Sequence, residues 1–427
     1  MNTVVLGLLY GDEGKGKIVD YYALTHDIVV RFQGGPNAGH TLYRNDIKIV
    51  LHQIPSGVLN NKTVVIGNGC IIDVKKLIKE VDMLIKGGYT NVIDLLRISH
   101  CAHVILPEHI QKDIEKENSG KGNGSTKCGI GPCYSAKYAR EGIRIGDFIK
   151  KYTIDDIFGD EKSVNYDTIY TKIKENCICD TTQYLYNMMD LGKSLLFEGA
   201  QGAFLSIDNF MYPNVSSSNV DVGGVISGTG VNHKYINNVV GIVKAYNSRV
   251  GDGPFVTQVF GEDEKILREA GQEYGATTGR PRKVGWLDLP MVKYISKVVG
   301  VDSIALTRLD TLIEGTKHLD KIPICVNYLD KDGFVWNNFP TYINEYKGNV
   351  KPQYIAVDKF NMDDINKAVN LYKQTGSYIN EEYNPFVNFI LTVQKYAQVR
   401  VGMISFGRER DQVCNLLDFE KENKTNE

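Results

Sequence analysis

Short apolar runs rich in β-branched residues punctuate this chain. They fall at Thr3–Leu9, Ile28–Phe32, Ile47–Leu51, Val64–Gly67, Ser194–Phe197, Val239–Val243, Ser303–Thr307, Ile322–Val326 and Val399–Ser405. Such continuity, without polar alternation, predicts strands buried on both faces. Between them, Asp73–Ile85, Ile169–Met189, Asp288–Val298 and Asn384–Ala397 carry helical spacing. This alternation predicts an α/β fold, with helices packed around a mostly parallel central sheet. No repeat or low-complexity linker interrupts it, so one large domain over residues 1–418 is expected. The polar, charged residues 419–427 are expected to form a disordered tail.

Four glycine-rich segments break the pattern: 33–41 (QGGPNAGHT), 119–133 (SGKGNGSTKCGIGPC), 223–230 (GGVISGTG) and 275–285 (GATTGRPRKVG). Long loops in a compact domain are usually functional, and in open α/β sheets ligands bind beyond the carboxyl ends of strands. Extended ligands are therefore expected. A fifth segment, GLLYGDEGKGK at 7–17, follows the run Val4-Val5-Leu6. Its Gly11-x-x-x-x-Gly16-Lys17 spacing matches the first seven positions of the nucleotide-binding P-loop. Ile18 then stands where that motif places the Ser or Thr hydroxyl that holds magnesium. Asp12 and Glu13 also lie inside the turn, where a polyphosphate would repel them. A P-loop-like phosphate loop with its metal held differently, and with proton chemistry of its own, is the expectation.

Bulk composition narrows the partners. The 427 residues hold 49 basic and 51 acidic side chains, a net charge of −2, which gives no support to nucleic-acid or membrane-surface binding as the main task. Eight cysteines lie scattered without a C-x-x-C pair, as expected for free thiols in a reducing compartment. No run approaches the ~20 apolar residues that span a bilayer, and the start lacks a signal-type pattern. A cytoplasmic protein is expected.

Several residues carry candidate chemistry. Asp12 could ligate a magnesium ion bridging phosphates, or act as a general base. His40, in the glycine loop after the second strand, could serve as an acid or donate to an oxyanion, and Asn37 offers a bidentate amide. Thr307-Arg308-Leu309-Asp310 imitates the guanine-reading [NT]KxD pattern, with Asp310 able to accept from the base. Arg280-Pro281-Arg282-Lys283 sets three cations beside a glycine loop, which suits carboxylates or phosphates.

Together the blocks GDEGKGKIVD (11–20), VVRFQGGPNAGHT (29–41), LHQIPSG (51–57), IGNG (66–69), GIGP (129–132), FEGAQG (197–202), GATTGRPR (275–282) and GWLD (285–288) resemble the adenylosuccinate synthetase family, in family order, from about residue 3 to 418. The resemblance implies GTP-dependent ligation of L-aspartate to IMP, giving adenylosuccinate, GDP and phosphate through 6-phosphoryl-IMP. It implies Asp12, His40, Lys15 and Gln201 as catalytic residues, and Mg²⁺ held by Asp12 and Gly39. GTP would be bound by Gly11, Asp12, Glu13, Gly14, Lys15, Gly16, Lys17, Gly39, His40, Thr41, Arg282, Arg308, Leu309, Asp310, Ser405, Phe406 and Gly407. IMP would meet Asp12 to Lys15, Asn37, Ala38, Gly39, His40, Thr126, Gln201, Ser216 and Arg280, with Arg140 reaching across a homodimer. Ala276, Thr277, Thr278, Gly279, Arg280, Pro281 and Arg282 would form the aspartate loop.

The chain departs from the family pattern in places. Leu9-Tyr10 replaces the usual Gln-Trp, and Ser125-Thr126-Lys127-Cys128 replaces Thr-Thr-Gly-Arg, losing an arginine. Arg308, Ser216 and Arg408 replace lysine, threonine and proline. Two other readings compete. A same-fold ligase joining aspartate to dGMP typically lacks the catalytic aspartate, whereas Asp12 is present here. A non-catalytic GTP switch would need the hydroxyl that Ile18 displaces.

Overall fold

The computed structural model describes residues 1–44, 47–120, 122, 124–209, 211–275, 279–341 and 348–417. By its internal contacts the chain divides into two compact units, each built from three separate segments. Met1–Leu6, Lys15–Asp208 and Pro213–Val239 form the first; Gly7–Gly14, Asn209–Tyr212 and Val240–Glu427 form the second.

Six strands build the sheet of the first unit: β1 (Thr3–Gly7), β2 (Ile28–Arg31), β3 (Thr63–Ile66), β4 (Leu96–Ser99), β5 (Ile178–Cys179) and β6 (Leu195–Gly202). Their spatial order is β1-β6-β2-β3-β4-β5. The pairs β6–β2, β2–β3, β3–β4 and β4–β5 are all parallel, with Leu195 opposite Ile28 and Ile28 opposite Thr63. Every residue of β1 and β2 is buried, as an apolar strand covered on both faces should be. In the second unit, β7 (Asn238–Lys244), β8 (Ser303–Thr307), β9 (Val401–Ser405) and β10 (Val413–Asn415) lie in the order β10-β9-β8-β7. Here β7–β8 and β8–β9 run parallel and only β10 is antiparallel. A separate antiparallel pair, Lys321–Asp330 with Val350–Asp358, contains the Ile322–Val326 run. The expected α/β class with a mostly parallel sheet is what the chain adopts.

Three expectations need correcting. The glycine-rich segment 223–230, expected to be a loop, lies in a helix, Val222–Thr229, capped by the Asp221 side chain through the Gly224 amide at 3.1 Å. Ile47–Leu51 lies outside the parallel sheets and pairs antiparallel with His40–Arg44, leaving Ile47 65% exposed. Only residues 45 and 46 separate the two strands, a gap that favours a hairpin over a crossover. The single helix expected over Ile169–Met189 is broken. A helix at Val164–Lys172 widens into a π turn at Ile173–Cys177, passes through β5, and restarts at Thr181–Asp190. The restart is set by Asp180, whose side chain accepts from the Gln183 amide at 3.0 Å and caps the new helix. The other helices sit close to their expected ranges, with Asp73, Asp288 and Asn384 as side-chain caps. The tail expected at 419–427 lies outside the described residues.

Candidate functional site

The glycine turn belongs to the second unit. Leu8 donates its amide to Ile242 O at 3.0 Å. The Glu13 carboxylate then accepts from the amides of Gly11 (2.7 Å) and Leu9 (3.2 Å), and the Thr307 hydroxyl donates to Glu13 O at 2.7 Å. Glu13 is 2% exposed, so this acid is part of the turn's own frame. Asp12 takes a left-handed backbone (φ +58°) between Gly11 and Gly14, themselves at +89° and +86°. Left-handed backbone costs a non-glycine residue about 1 kcal/mol, a strain that functional sites often hold. The turn thereby lifts the Asp12 side chain to 40% exposure, with Oδ2 2.8 Å from Arg282 Nη2.

Tyr10 gives the unusual lead-in a physical role. Its ring is 4% exposed, lies 4.6 Å under the Arg249 guanidinium and packs edge-on to Phe255. Arg249 in turn donates to Asp252 O (2.8 Å) and Pro254 O (3.1 Å), tying segment 249–255 to the turn.

Beyond β8, Arg308 is also left-handed (φ +62°) and donates to Gly271 O at 2.6 Å. Leu309 is buried and starts the helix Leu309–Gly315, while Asp310 keeps Oδ1 buried with no hydrogen-bond partner. Ser405 closes β9, and the Phe406 amide donates to Gln412 O at 3.1 Å. A Cβ on Gly407 would lie 2.0 Å from the side-chain oxygen of Gln412, so the Gln412 side chain lies directly over this glycine. Gly279, Arg280 and Pro281 are exposed. Ala276, Thr277 and Thr278 lie outside the described residues.

In the first unit, helix α1 (Lys15–Tyr22) carries buried Lys15 and Gly16 and half-buried Lys17. Ile18, the residue at the missing-hydroxyl position, is fully buried core. A Cβ on Gly16 would come within 3.3 Å of His40 Cβ, so this glycine lets the helix lie against the histidine. His40 Nδ1 donates to Glu198 Oε1. Glu198 is 0% exposed and also accepts from the Ser56 amide and hydroxyl, each at 2.8 Å. Burial alone would raise the Glu198 carboxyl; the His40 charge and hydrogen bond, with the Ser56 donors, outweigh it and hold the group below its ordinary value. An ionised carboxylate at Nδ1 fixes the orientation of the ring and turns Nε2 away from Glu198. His40 Nε2 is buried and has no partner.

The loop after β2 is held from several sides. Arg31 donates to Gly35 O at 2.7 Å and to His52 O, and His52 Nδ1 lies 2.7 Å from Ala38 O. The Gly34 amide donates to the Tyr134 hydroxyl at 3.0 Å, and Gln33 Nε2 donates to Ala200 O at 2.6 Å. Ser218 donates to Gln33 Oε1 at 3.2 Å, with Ser216 Oγ 3.4 Å from Ser218 Oγ. The start of the loop that carries Asn37, Ala38, Gly39, His40 and Thr41 is thereby tied to the segments that carry Gln201 and Ser216. Gln201, at the end of β6, is left-handed (φ +58°) with Oε1 buried and unpartnered. Thr126 is half-buried just before the helix Ile130–Ala139. Arg140 caps the other end of that helix, exposed and left-handed (φ +66°). Lys127 points to Asn118 Oδ1 at 3.0 Å, whereas Lys76 Nζ reaches Cys128 Sγ at 3.5 Å.

Four expected site residues thus hold a buried polar atom without a partner: His40 Nε2, Gln201 Oε1, Arg282 Nε and Asp310 Oδ1. Each such atom costs about 1–3 kcal/mol unless a ligand satisfies it. Motif reading missed Glu198, Gln33 and Tyr134. An acid in an otherwise apolar strand was the available signal for Glu198 alone.

The adenylosuccinate synthetase family model matches residues 4–414. The chain belongs to the adenylosuccinate synthetase family. An adenylosuccinate synthetase of Caldanaerobacter subterraneus subsp. tengcongensis is 39% identical, over 98% of this chain and 99% of its own. That of Clostridium perfringens is also 39% identical, over 97% and 99%. The solved structure of fully ligated adenylosuccinate synthetase from Plasmodium falciparum superposes with a TM-score of 0.82 at 36% identity, covering 97% of this chain and 99% of that one. The cyanophage S-2L succinoaminodeoxyadenylate synthetase bound to dGMP and dATP has a TM-score of 0.63 at 18% identity, a likeness of fold alone. As a member of the adenylosuccinate synthetase family, the chain is a purine-biosynthetic ligase that joins L-aspartate to IMP at the expense of GTP. No helix among the described residues is long and apolar enough to cross a membrane.

Proposed function

We propose that Asp12 is the general base and His40 the phosphoryl-stabilising donor of this ligation, within a catalytic domain spanning residues 1–418. The observation that carries the reading is the His40–Glu198 pair with its buried, unpartnered Nε2. Asp12 removes the proton from N1 of IMP, and O6 attacks the γ-phosphorus of GTP as the bond to the β–γ bridging oxygen breaks. GDP leaves, and 6-phosphoryl-IMP carries a good leaving group at C6. The amine of L-aspartate attacks C6, phosphate departs, and loss of the amine proton gives adenylosuccinate. His40 Nε2–H donates to the oxygens where charge gathers during phosphoryl transfer, as do Lys15 and the turn amides. Gln201 orients the purine. Asn37, Ala38, Thr126, Ser216 and Arg280 hold IMP, and the 276–282 loop holds aspartate through Arg280 and Arg282. Arg308, Leu309, Asp310, Ser405, Phe406 and Gly407 hold the guanine.

Magnesium fits the donor set. An ion that keeps waters and substrate phosphates needs only one or two protein oxygens, and Asp12 offers a carboxylate 40% exposed in a glycine turn. Asp12 and the Gly39 carbonyl would hold it, and when bound it neutralises charge on the phosphates. Exposed Arg140 would serve the IMP of a partner subunit in a homodimer. Free thiols and nucleotide substrates support a cytoplasmic location.

The test is adenylosuccinate formation followed by its ultraviolet absorbance over IMP, GMP and dGMP, each with GTP or ATP. Product is expected from IMP with GTP, and none when aspartate or Mg²⁺ is withheld. Asp12→Ala should lower kcat by at least 10³-fold with the melting temperature kept. Turnover within tenfold of the unsubstituted enzyme would remove Asp12 from the base role.

A further inference from the structure

Glu273 stands just ahead of the glycine–arginine segment, and its side chain is 0% exposed. Three donors converge on its carboxylate. Lys244 Nζ (2.7 Å) and the Tyr246 hydroxyl (2.5 Å) meet Oε1, and Arg282 Nη1 (2.8 Å) meets Oε2. The Arg282 amide also donates to Glu273 O at 2.9 Å, and Arg268 Nε donates to Arg282 O at 3.0 Å. The two residues are therefore locked by backbone and side chain together.

The Arg282 guanidinium has each of its nitrogens in a different situation. Nη1 is on Glu273, Nη2 lies 2.8 Å from Asp12 Oδ2, and Nε is buried with no partner. A carboxylate binds arginine best through two parallel N–H groups on one edge. With Nη1 on Glu273 and one of the two Nη2 protons available to Asp12, the unpartnered Nε and the second Nη2 proton form the edge a substrate carboxylate can use. We infer that Glu273 is a positioning residue for L-aspartate: it anchors Arg282 through Nη1 and so presents the Nε/Nη2 edge to a carboxylate of the amino acid. This rests on the reading of Arg282 as an aspartate-binding residue.

The surroundings suit that task. Burial alone would raise the Glu273 carboxyl, but the Lys244 and Arg282 charges and the Tyr246 hydroxyl hold it down to about 2. Glu273 therefore stays ionised across the working range, and Lys244 supplies the second positive charge that keeps it so. Lys244 is itself 3% exposed and 2.7 Å away, so its ammonium cannot leave for solvent to serve a ligand. The arrangement fixes one arginine in one orientation.

Steady-state kinetics on the full chain, with each substrate varied in turn, test the inference. Arg282→Ala should raise the aspartate KM at least 30-fold. Glu273→Gln, which keeps the shape and removes the charge, should raise it at least tenfold, with kcat at saturating aspartate within threefold and the IMP KM within twofold. Glu273→Asp, a milder change that retains the charge, should recover at least a third of the lost aspartate affinity, and it stands in if the glutamine variant does not fold. Aspartate KM within twofold of the unsubstituted enzyme in Glu273→Gln, with Arg282→Ala impaired, overturns the role of Glu273 alone. Unchanged aspartate KM in Arg282→Ala overturns the aspartate reading of Arg282. A lower kcat in both Glu273 variants at unchanged aspartate KM also overturns the proposal, since only general structure would then have been lost.

Discussion

An aspartate held in left-handed backbone is awkward to build and easy to aim. Glu13 supplies the frame by accepting from the amides of Leu9 and Gly11, so the neighbouring acid keeps the turn in shape while Asp12 projects. A similar division operates at His40, where Glu198 holds the ring by Nδ1 and Nε2 faces away. Removing only the charge of Glu198 should separate these duties. Glu198→Gln keeps an acceptor for His40 but removes the negative charge beside the ring, so kcat is expected to fall about 10²-fold, the scale of losing one charge-stabilising donor. The KM for aspartate should stay within about threefold, because no aspartate contact is assigned to Glu198 or His40. Equal losses in kcat and in aspartate affinity would mean that the pair holds the fold and not the phosphoryl group. None of this support could be read from motifs: His40 and Glu198 are 158 residues apart, and the parallel register of β6 on β2 sets Glu198 opposite Arg31, at the start of the loop that leads to His40.

At the scale of elements, legibility followed hydrophobic continuity. The runs at Thr3, Ile28 and Ser303 are apolar at their centres, and each became a strand with every residue buried, the flanking Thr3, Arg31, Ser303 and Thr307 included. Ile47–Leu51 also reads as apolar, yet a neighbour two residues away took it into an exposed hairpin. The helix broken at β5 shows the same limit, because Asp180 caps a new helix where periodicity alone would continue the old one. Caps can be sensitive to pH as well as to sequence. Asp288 caps the helix Leu289–Val299 through the Met291 amide, also accepts from Tyr328 at 2.5 Å, and leaves Oδ2 buried without a partner. Burial pushes its carboxyl up to about 7, against the pull of those two donors. An unfolded aspartate titrates near ~3.9, so over the interval between the two values the folded chain holds a proton that the unfolded chain has released. The stability carried by protonated Asp288 is complete below about 4 and declines as pH rises to about 7. Relative to Asp288→Asn, which does not ionise, the unsubstituted chain should lose about 2–3 kcal/mol between pH 5 and 8. Denaturant titrations of both at several pH values check this, and parallel curves would count against the buried acid.

On the scale of the molecule, each unit is assembled from chain segments that alternate. Residues 7–14 make their contacts with the second unit, although the strand before them and the helix after them belong to the first. The Leu8 amide bond to Ile242 O and the Thr307 bond to Glu13 O are the visible ties. Sequence reading found the turn, because glycine spacing marks it, but could not show which part of the chain it packs on. A fragment ending at 239 would keep the turn and lose those partners. Expressed alone, residues 1–239 should show amide exchange at 8–14 at the rate of unstructured chain, and protection there in the fragment alone would contradict this packing.

That alternation bears on how such an enzyme can be taken apart. No single cut yields one unit whole, so neither can be lifted out as a cassette or exchanged between relatives by joining halves. A chain severed at 239/240, inside β7, would have to recapture both that strand and its own turn in trans. Recovered ligase activity would then report on reassembly itself.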